Sequence, residues 1–397
     1  MLGAIYIGLS GMNAFSRGLQ AISNNVANLN SPGYKASTVS FSDAFNIGGL
    51  GSSYSGRNNQ FHGAGVRFGA QTIDFTQGDM RQSGGDLDLA VQGAGFLVLS
   101  RDGRTYYART GQFAVDDAGF ISLQGSDYHL NLLNASGQAT AINIDQLRTN
   151  PPSITRNVSF GGNLSTGSTE AVISDIAVYD ARGTRHVWKV TLKPSDETPA
   201  VPNKWSVTVT DETGAVVGEE QSLQFNLAGD VSDPSALTFS YESENGEQID
   251  VELDFKDVDN FSSGTTSTIR VASSDGNGVG TLTGVTITED GHVKLTYSNS
   301  KTEDLGAVAL ASFRDPQALE RLGDGLFRNN GAPAGLFASK NDGMGTLVPR
   351  QIEASNVDLA QQFGDLILVQ RGFQASSQVV SISNDMIQQL FGIRGQG

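Results

Sequence analysis

The 397-residue chain contains no cysteine. That excludes disulfides, thiolate nucleophiles and cysteine-held metal ions. Charge is scarce too: only 17% of residues are Asp, Glu, Lys or Arg, and the formal net charge is −16. Basic residues are not concentrated anywhere, so little in the chain would attract a nucleic-acid backbone. Between Gln146 and Asn299 there are 22 acidic and 10 basic residues, a net −12, while the remainder holds 20 and 16, a net −4. The simplest reading is a solvated middle between nearly neutral flanks that do not repel their own copies.

Long apolar runs are missing as well. No stretch approaches the roughly 18–20 apolar residues that span a bilayer. The first residues lack a basic leader region, and Ser10, Asn13, Ser16 and Arg17 break the apolar pattern. Any export is therefore expected to use a route that reads no cleaved leader.

Reactive constellations are equally sparse. His62, His129, His186 and His292 are not spaced as a local metal site. Asp86 and Asp88 alternate on one predicted strand face without a proton-transfer partner, and read as solvated or turn-capping carboxylates. The acid run Asp250, Glu252, Asp254, Asp257 and Asp259 lacks the tight glycine-containing spacing of a calcium loop. Gly8, Gly11 and Gly18 fall inside a helical pattern, not between a strand and a helix, and no phosphate-cradling or nucleophile-elbow motif occurs. No catalytic residue, cofactor or metal site is expected.

What the chain does have is two matching ends. Ile5, Leu9, Met12, Leu19 and Val26 recur at spacings of four and three, and Phe15, Ile22 and Leu29 widen the stripe. Asn30-Ser31-Pro32-Gly33 then stops the helix, because Pro32 disfavours helical geometry at Ser31. Near the other end, Leu359, Phe363, Leu366, Phe373, Val380, Ile387 and Phe391 follow coiled-coil-like spacing, after a predicted capping box formed by Ser355 and Asp358. Ile367, Val369, Val379, Ile382, Met386 and Leu390 lie off that seam, so the second helix is apolar on more than one side. Each large apolar side chain gains about 1.5–3 kcal/mol on full burial. Packing of copies against one another satisfies such extra flanks; ordinary packing in a soluble domain and binding at a membrane surface remain open on periodicity alone. The membrane reading is weakened by the scarcity of cations, with Arg17 in the first helix and Arg371 and Arg394 in the second.

The middle reads as strands. Residues 34–75 form a predicted extended or hairpin-containing connector, glycine-rich from Gly48 to Gly56 and carrying Phe41, Phe45, Tyr54 and Phe61. Leu87–Val91, Phe96–Leu99 and Thr105–Ala108 follow, with a hairpin tip at Asp102-Gly103 and a turn at Asp116–Gly119. Trp205–Val209, Ile249–Phe255 and Val293–Tyr297 alternate apolar with polar residues and predict antiparallel strands with one buried face. The expected fold is mixed α and β. Long terminal helices form a coiled-coil-like core (1–33 and 350–397), and two mainly antiparallel β domains follow the connector. One of these, 157–299, is inserted in the other, which comprises 76–156 and 300–349.

Several blocks resemble the flagellar rod and hook axial protein family. They are Gly11-Met12-Asn13-Ala14 and the run from Ile22 through Asn24, Asn25, Asn28, Pro32, Gly33, Tyr34 and Lys35. Gly85–Val91 with Gly93, Gly95 and Phe96, then Tyr107–Phe113, continue the pattern. Glu353, Ala354, Ser355, Asn356, Val357, Asp358 and Leu359, with Gln370–Ala375, complete it. The resemblance covers about the first 125 and last 100 residues in order. It implies a self-assembling structural subunit without enzymatic activity, exported by the flagellar type III apparatus and located in the extracellular part of the flagellum. The implied neighbours are further copies of itself, the distal rod protein, the hook cap protein and the hook–filament junction protein. The size of the middle insertion points to the hook branch, whose tube transmits motor torque as a universal joint. The alternatives are a distal rod subunit and, outside the family, a β-domain binding protein.

Overall fold

The computed structural model describes residues 2–46, 62–134, 136–196, 203–232, 234–242, 246, 248–330, 335–339 and 345–394. The connector residues from Gly48 to Phe61 lie outside these. The fold is mixed and mostly β, with one long helix near each end: α1 (Leu2–Ala27) and α2 (Leu359–Arg394). The chain divides into two compact units, one of residues 1–145, 285–294 and 304–397, the other of 146–284 and 295–303.

In the second unit two four-stranded sheets share one core. Strands Ala171–Tyr179, Arg185–Pro194, Lys204–Thr210 and Gln221–Gln224 form an antiparallel meander. The other sheet has the order Ala236–Glu242, Gln248–Asp259, Asn157–Asn163, Arg270–Ser274. The alternation predicted for Trp205–Val209 and Ile249–Phe255 appears as buried residues at every second position. Trp188, Phe160, Phe239 and Phe255 fill the space between the sheets, with Phe160 and Phe255 stacked at 4.7 Å. Asp250 and Glu252 project from the opposite, exposed face of their strand.

One pairing departs from the antiparallel expectation. Asn157–Asn163 runs parallel to Gln248–Asp259, with Val158 opposite Leu253. A parallel pair needs a long crossover, and here the chain between the two strands builds the whole four-stranded meander and the strand Ala236–Glu242. Alternation within a strand reports which face is buried, not the direction of its neighbour.

Two groups in this unit are held by the local fold. Asp180 closes the hairpin after Ala171–Tyr179, its Oδ1 accepting from the backbone N–H of Arg182 (2.9 Å) and Thr184 (2.7 Å). Burial pushes its pKa up, but the Thr184 and Arg182 hydrogen bonds and the nearby His186 outweigh that and hold it below the ordinary carboxylate value. Tyr297 is buried, its hydroxyl 2.9 Å from the Leu147 carbonyl and 2.8 Å from Glu303 Oε2. Burial first, and then the Glu303 hydrogen bond and charge, push its pKa up to about 12.

The first unit is built on a larger sheet. Phe113–Val115, Ile121–Leu123, His129–Leu133, Phe96–Arg101, Arg104–Ala108, Leu326–Asn329 and Leu319–Gly323 lie side by side in that order. The tip at Asp102-Gly103 is as the sequence suggests: both residues have positive φ, 49° and 72°, as a tight two-residue hairpin requires. Phe96 lies at the centre of an aromatic cluster, 5.5–5.8 Å from Phe75, Phe313 and Phe327. Leu89–Gln92 belongs to a separate three-stranded sheet between Thr346–Pro349 and Thr110–Gly111. Asp86 and Asp88 do not share a strand face, because they precede this strand in a turn. Asp88 is buried and accepts a hydrogen bond from Ser83, whereas Asp86 is exposed beside Arg350.

Native Asp180 stays ionised to lower pH than it does in the unfolded chain. Its contribution to stability is therefore full above about pH 3.9 and is lost as pH falls through the native value. Asp180→Asn should flatten the acid limb of the unfolding curve, measured by tryptophan fluorescence. Tyr297 has the opposite arrangement. Its contribution is full below about pH 10 and is lost as pH rises through the native value. In an ultraviolet titration, Tyr297→Phe should delete a tyrosinate transition near the alkaline end.

Candidate assembly interface and its buried anchor

The terminal helices are antiparallel neighbours. Asn25 Nδ2 meets Gln362 Oε1 (2.9 Å) toward one end, and Gly8 lies against Val380 toward the other. Their contact is lined on α1 by glycines: Gly8, Gly11 and Gly18 are buried and lie against Val380, Ser376 and Val369. A Cβ at Gly8 would sit 2.6 Å from Val380 Cγ2, and one at Gly11 would sit 2.5 Å from Ser376 Oγ. On α2, a Cβ at Gly372 would sit 2.6 Å from the Phe15 ring. Glycine weakens an isolated helix by about 1 kcal/mol relative to alanine, and here it permits this close approach.

Most of the large apolar residues singled out from the sequence are left over by that contact. Of Ile5, Leu9, Met12, Phe15, Leu19, Ile22, Val26 and Leu29 on and just after α1, only Ile22 is buried. On α2, Leu366, Phe373, Val380 and Ile387 are half-buried, while Leu359, Phe363 and Phe391 are exposed. Tyr6, Ile7, Ile367, Leu368, Val379, Ile382, Met386 and Leu390 are exposed too, by 43–69%. Periodicity picks out Phe15 and Val380, which do lie in the contact, but it counts large residues and passes over the glycines opposite them.

Beneath the helices lies a buried polar anchor made from both ends of the chain. After α1, Gly33 takes φ +68° and donates its N–H to the Glu353 carbonyl (2.8 Å). That turn directs Lys35 inward, where its Nζ donates to Glu353 Oε1 and the Thr76 carbonyl, both at 2.7 Å. Glu353 Oε1 also accepts from the Gly78 N–H (2.8 Å), and Oε2 faces Arg109 Nε at 3.4 Å. Arg109 donates onward to the carbonyls of Gly95 (2.7 Å) and Val91 (3.1 Å). The Lys35 and Glu353 side chains are wholly buried. Burial lowers the Lys35 pKa below the ordinary lysine value, and the attraction of Glu353 only partly opposes it.

Two asparagines complete the anchor. Asn25 Oδ1 accepts from the Ser37 N–H (2.9 Å) and the Tyr34 hydroxyl (3.2 Å), while Nδ2 also donates to the Ser37 carbonyl (2.9 Å). Asn356 Oδ1 accepts from the Ala36 N–H (2.7 Å), and its Nδ2 donates to the Asp74 and Thr76 carbonyls (2.8 and 3.0 Å). Tyr34, Ala36 and Val357 pack together beside them, with Leu29 at the edge. Arg321 lies over the Tyr34 ring at 4.8 Å and donates to the Lys35 carbonyl.

The remaining motif residues do other work. Asn28 bonds back to Asn24 (2.9 Å), Ser31 donates to Asn28, and Pro32 is exposed at the turn. Ser355 and Asp358 do not form a capping box, because α2 starts only at Leu359. Asp358 is itself the cap, accepting from the N–H groups of Ala360 (2.8 Å) and Gln361 (3.2 Å). The sequence does not single out as site residues Arg109, Glu353, Gln362 or Thr110, whose Oγ1 accepts from the Glu353 N–H (3.1 Å). Lys35 and Glu353 are 318 positions apart, and no local spacing announces such a pair.

Elsewhere, Ser122 Oγ donates to Asp116 Oδ2 (2.6 Å) and lies 2.8 Å from His129 Nδ1. Both partners grip the serine and tie strand to turn; this is not the ordered relay of a nucleophile through histidine to a carboxylate. Among the described residues, no group of three or more His, Asp or Glu is placed to hold a metal ion, and no helix is long and apolar enough to cross a membrane.

Removing Glu353 would strand two buried cations. Glu353→Ala should destabilise the first unit by about 3–5 kcal/mol, read by chemical denaturation. Gly8→Leu should instead leave the β sheets intact and separate α1 from α2. Hydrogen exchange confined to the two helices would register that loss.

Three family models match the chain in order. They are the flagella basal body rod protein model at residues 5–35, the flagellar basal body protein FlaE D2 domain at 163–279, and the flagellar basal body rod FlgEFG protein C-terminal model at 349–393. The first and last enclose Asn25, Tyr34, Lys35, Glu353 and Asn356 of the anchor. The chain is 26% identical over 472 residues to the flagellar hook protein FlgE of Treponema pallidum, covering 99% of this chain and all of that one. It is 27% identical over 419 residues to FlgE of Escherichia coli K12, covering 97% and 98%. A crystal structure of Helicobacter pylori flagellar hook protein FlgE2 shares the fold over 69% of this chain and all of its own, with a TM-score of 0.51 at 12% identity. Both ends, the middle and nearly the whole length of the chain are thus similar, in order, to flagellar hook proteins.

Proposed function

We propose that the chain is the structural subunit of a flagellar hook, polymerising into a curved hollow tube that couples the motor to the filament as a universal joint. The observation that carries this reading is the surplus of apolar surface on the terminal helix pair. The pair uses glycines for its own close contact and leaves Leu368, Ile382, Met386, Leu390 and Phe391 in water. Exposed faces of this kind on a fixed scaffold mark interaction surfaces. When the surfaces that meet are different, copies add without closing into a ring.

In this reading α1 and α2 form the inner, coiled-coil-like wall of the tube. The assembly domain comprises 1–33 and 350–397, the connector 34–75, the inner β domain 76–156 and 300–349, and the inserted outer domain 157–299. The outer domain, rich in acidic residues, suits a wet sliding contact as the tube bends. Export by the flagellar type III apparatus delivers the chain to the extracellular hook. There it meets the distal rod protein, the cap and the hook–filament junction protein.

Electron microscopy of the purified chain under polymerising conditions should show curved hollow tubes. Straight rigid tubes would assign the chain to the rod, and persistent monomers at high concentration would defeat the assembly reading. A variant lacking residues 1–33 and 355–397 should sediment as a mainly β monomer by circular dichroism. Undiminished polymerisation of that variant would remove the helices from the mechanism.

A further inference from the structure

Two hollows flank α1, and their charges are opposite. The first, of about 420 Å3, has apolar walls that include Phe15, Val39, Phe41 and Leu368 and is bordered by Asp74, Asp358 and Asp365, with no basic residue lining it. The second, of about 450 Å3, is lined by Tyr6, Leu9, Val66 and Phe68 together with Arg17 and Arg67, with no acidic residue. Phe15 and Arg17 are two residues apart on one helix, about 200° around its axis. The acid-bordered and base-bordered hollows therefore open on opposite sides of α1.

We propose that the Arg17–Arg67 face of one copy docks on the hollow bordered by Asp74, Asp358 and Asp365 of the next copy. The inference rests on the polymer reading above and names the surfaces that meet. Charge complementarity selects the occupant. The acidic border disfavours a second acidic border, so the contact is heterologous rather than two-fold. The exposed Tyr6 and Leu9 supply apolar area for the opposing hollow. Because the two surfaces lie on opposite sides of one helix, filling one leaves the other open, and addition continues.

Asp365 and Arg17 are suited to a test. Among the described residues, neither side chain makes a hydrogen bond or ion pair, whereas Asp358 caps α2 and Asp74 Oδ1 holds the Thr76 N–H. Full-length Asp365→Arg and Arg17→Glu should each raise the critical concentration for polymerisation by about tenfold or more, since each places like charges across the contact. Circular dichroism should confirm that both remain folded. The double variant restores opposite charges and should polymerise again. So should an equimolar mixture of the two single variants, because each then offers the surface the other needs. The milder Asp365→Asn and Arg17→Gln should give smaller losses, growing as salt is lowered toward conditions where screening is weak.

Light scattering and electron microscopy read all of these. Single variants that polymerise like the parent, or a double variant no better than the worse single one, would overturn the proposed contact while leaving the hook reading standing. A parent chain that never polymerises would remove both.

Discussion

The architecture of the first unit depends on burying a lysine, an arginine and a glutamate together. Taking such charges out of water costs several kcal/mol per ion, and the lowered pKa of Lys35 shows that its attraction to Glu353 does not fully offset the cost. The cluster is thus a poor source of stability and a strong source of position. Glu353 accepts from Lys35 and Gly78 while facing Arg109, and Arg109 in turn holds the carbonyls of Val91 and Gly95. A small shift of any of these groups would leave a buried charge without a partner. The ends of α1 and α2 are fixed to the β structure by this requirement, which apolar packing alone would satisfy in several registers.

Fixing the ends frees the helices to be built unusually. A free-standing pair of helices would use its largest apolar residues on itself, because that is where each helix gains most. Here the seam sets Gly18, Gly11 and Gly8 against Val369, Ser376 and Val380, and Gly372 against Phe15. Helix proximity is set partly by the anchor below and partly by the absence of side chains between the backbones. The large residues are released to face outward. The contact within the chain thus leaves most of the large apolar residues of the pair at least partly exposed.

Much of this was legible in the sequence, in proportion to how local the cause was. The hairpin at Asp102-Gly103, the half-buried strands around Val207 and Val251, and the two terminal helices each follow from neighbouring residues, and the structure has them there. Asp88 holds a turn, one of the two roles its sequence suggests, but it is buried there, and a buried carboxylate and a solvated one look alike until Ser83 is brought beside it. The Ser355–Asp358 pattern fitted a capping box, but Asn356 is occupied with Ala36, Asp74 and Thr76, and the helix begins one residue after Asp358. The parallel pairing of Asn157–Asn163 with Gln248–Asp259 is a property of the path between them. The anchor was visible only as family-motif residues near the two ends, Tyr34-Lys35 and Glu353–Asn356. Its chemistry joins positions that no window spans.

The span of the anchor has a consequence for the order of events. Lys35 emerges early from any process that delivers the chain from its N-terminus, but it has no carboxylate to meet until Glu353 follows. Contacts this distant form late, after the entropy of closing the intervening chain has been spent. Until then α1 has neither its anchor nor α2 beside it, and a lone helix in water is marginal. A chain delivered only as far as Pro349 therefore has the strands of the first unit's large sheet and three-stranded sheet but neither the Glu353 carboxylate nor α2. The buried lysine thus ties the placing of the first helix to the arrival of the last part of the chain.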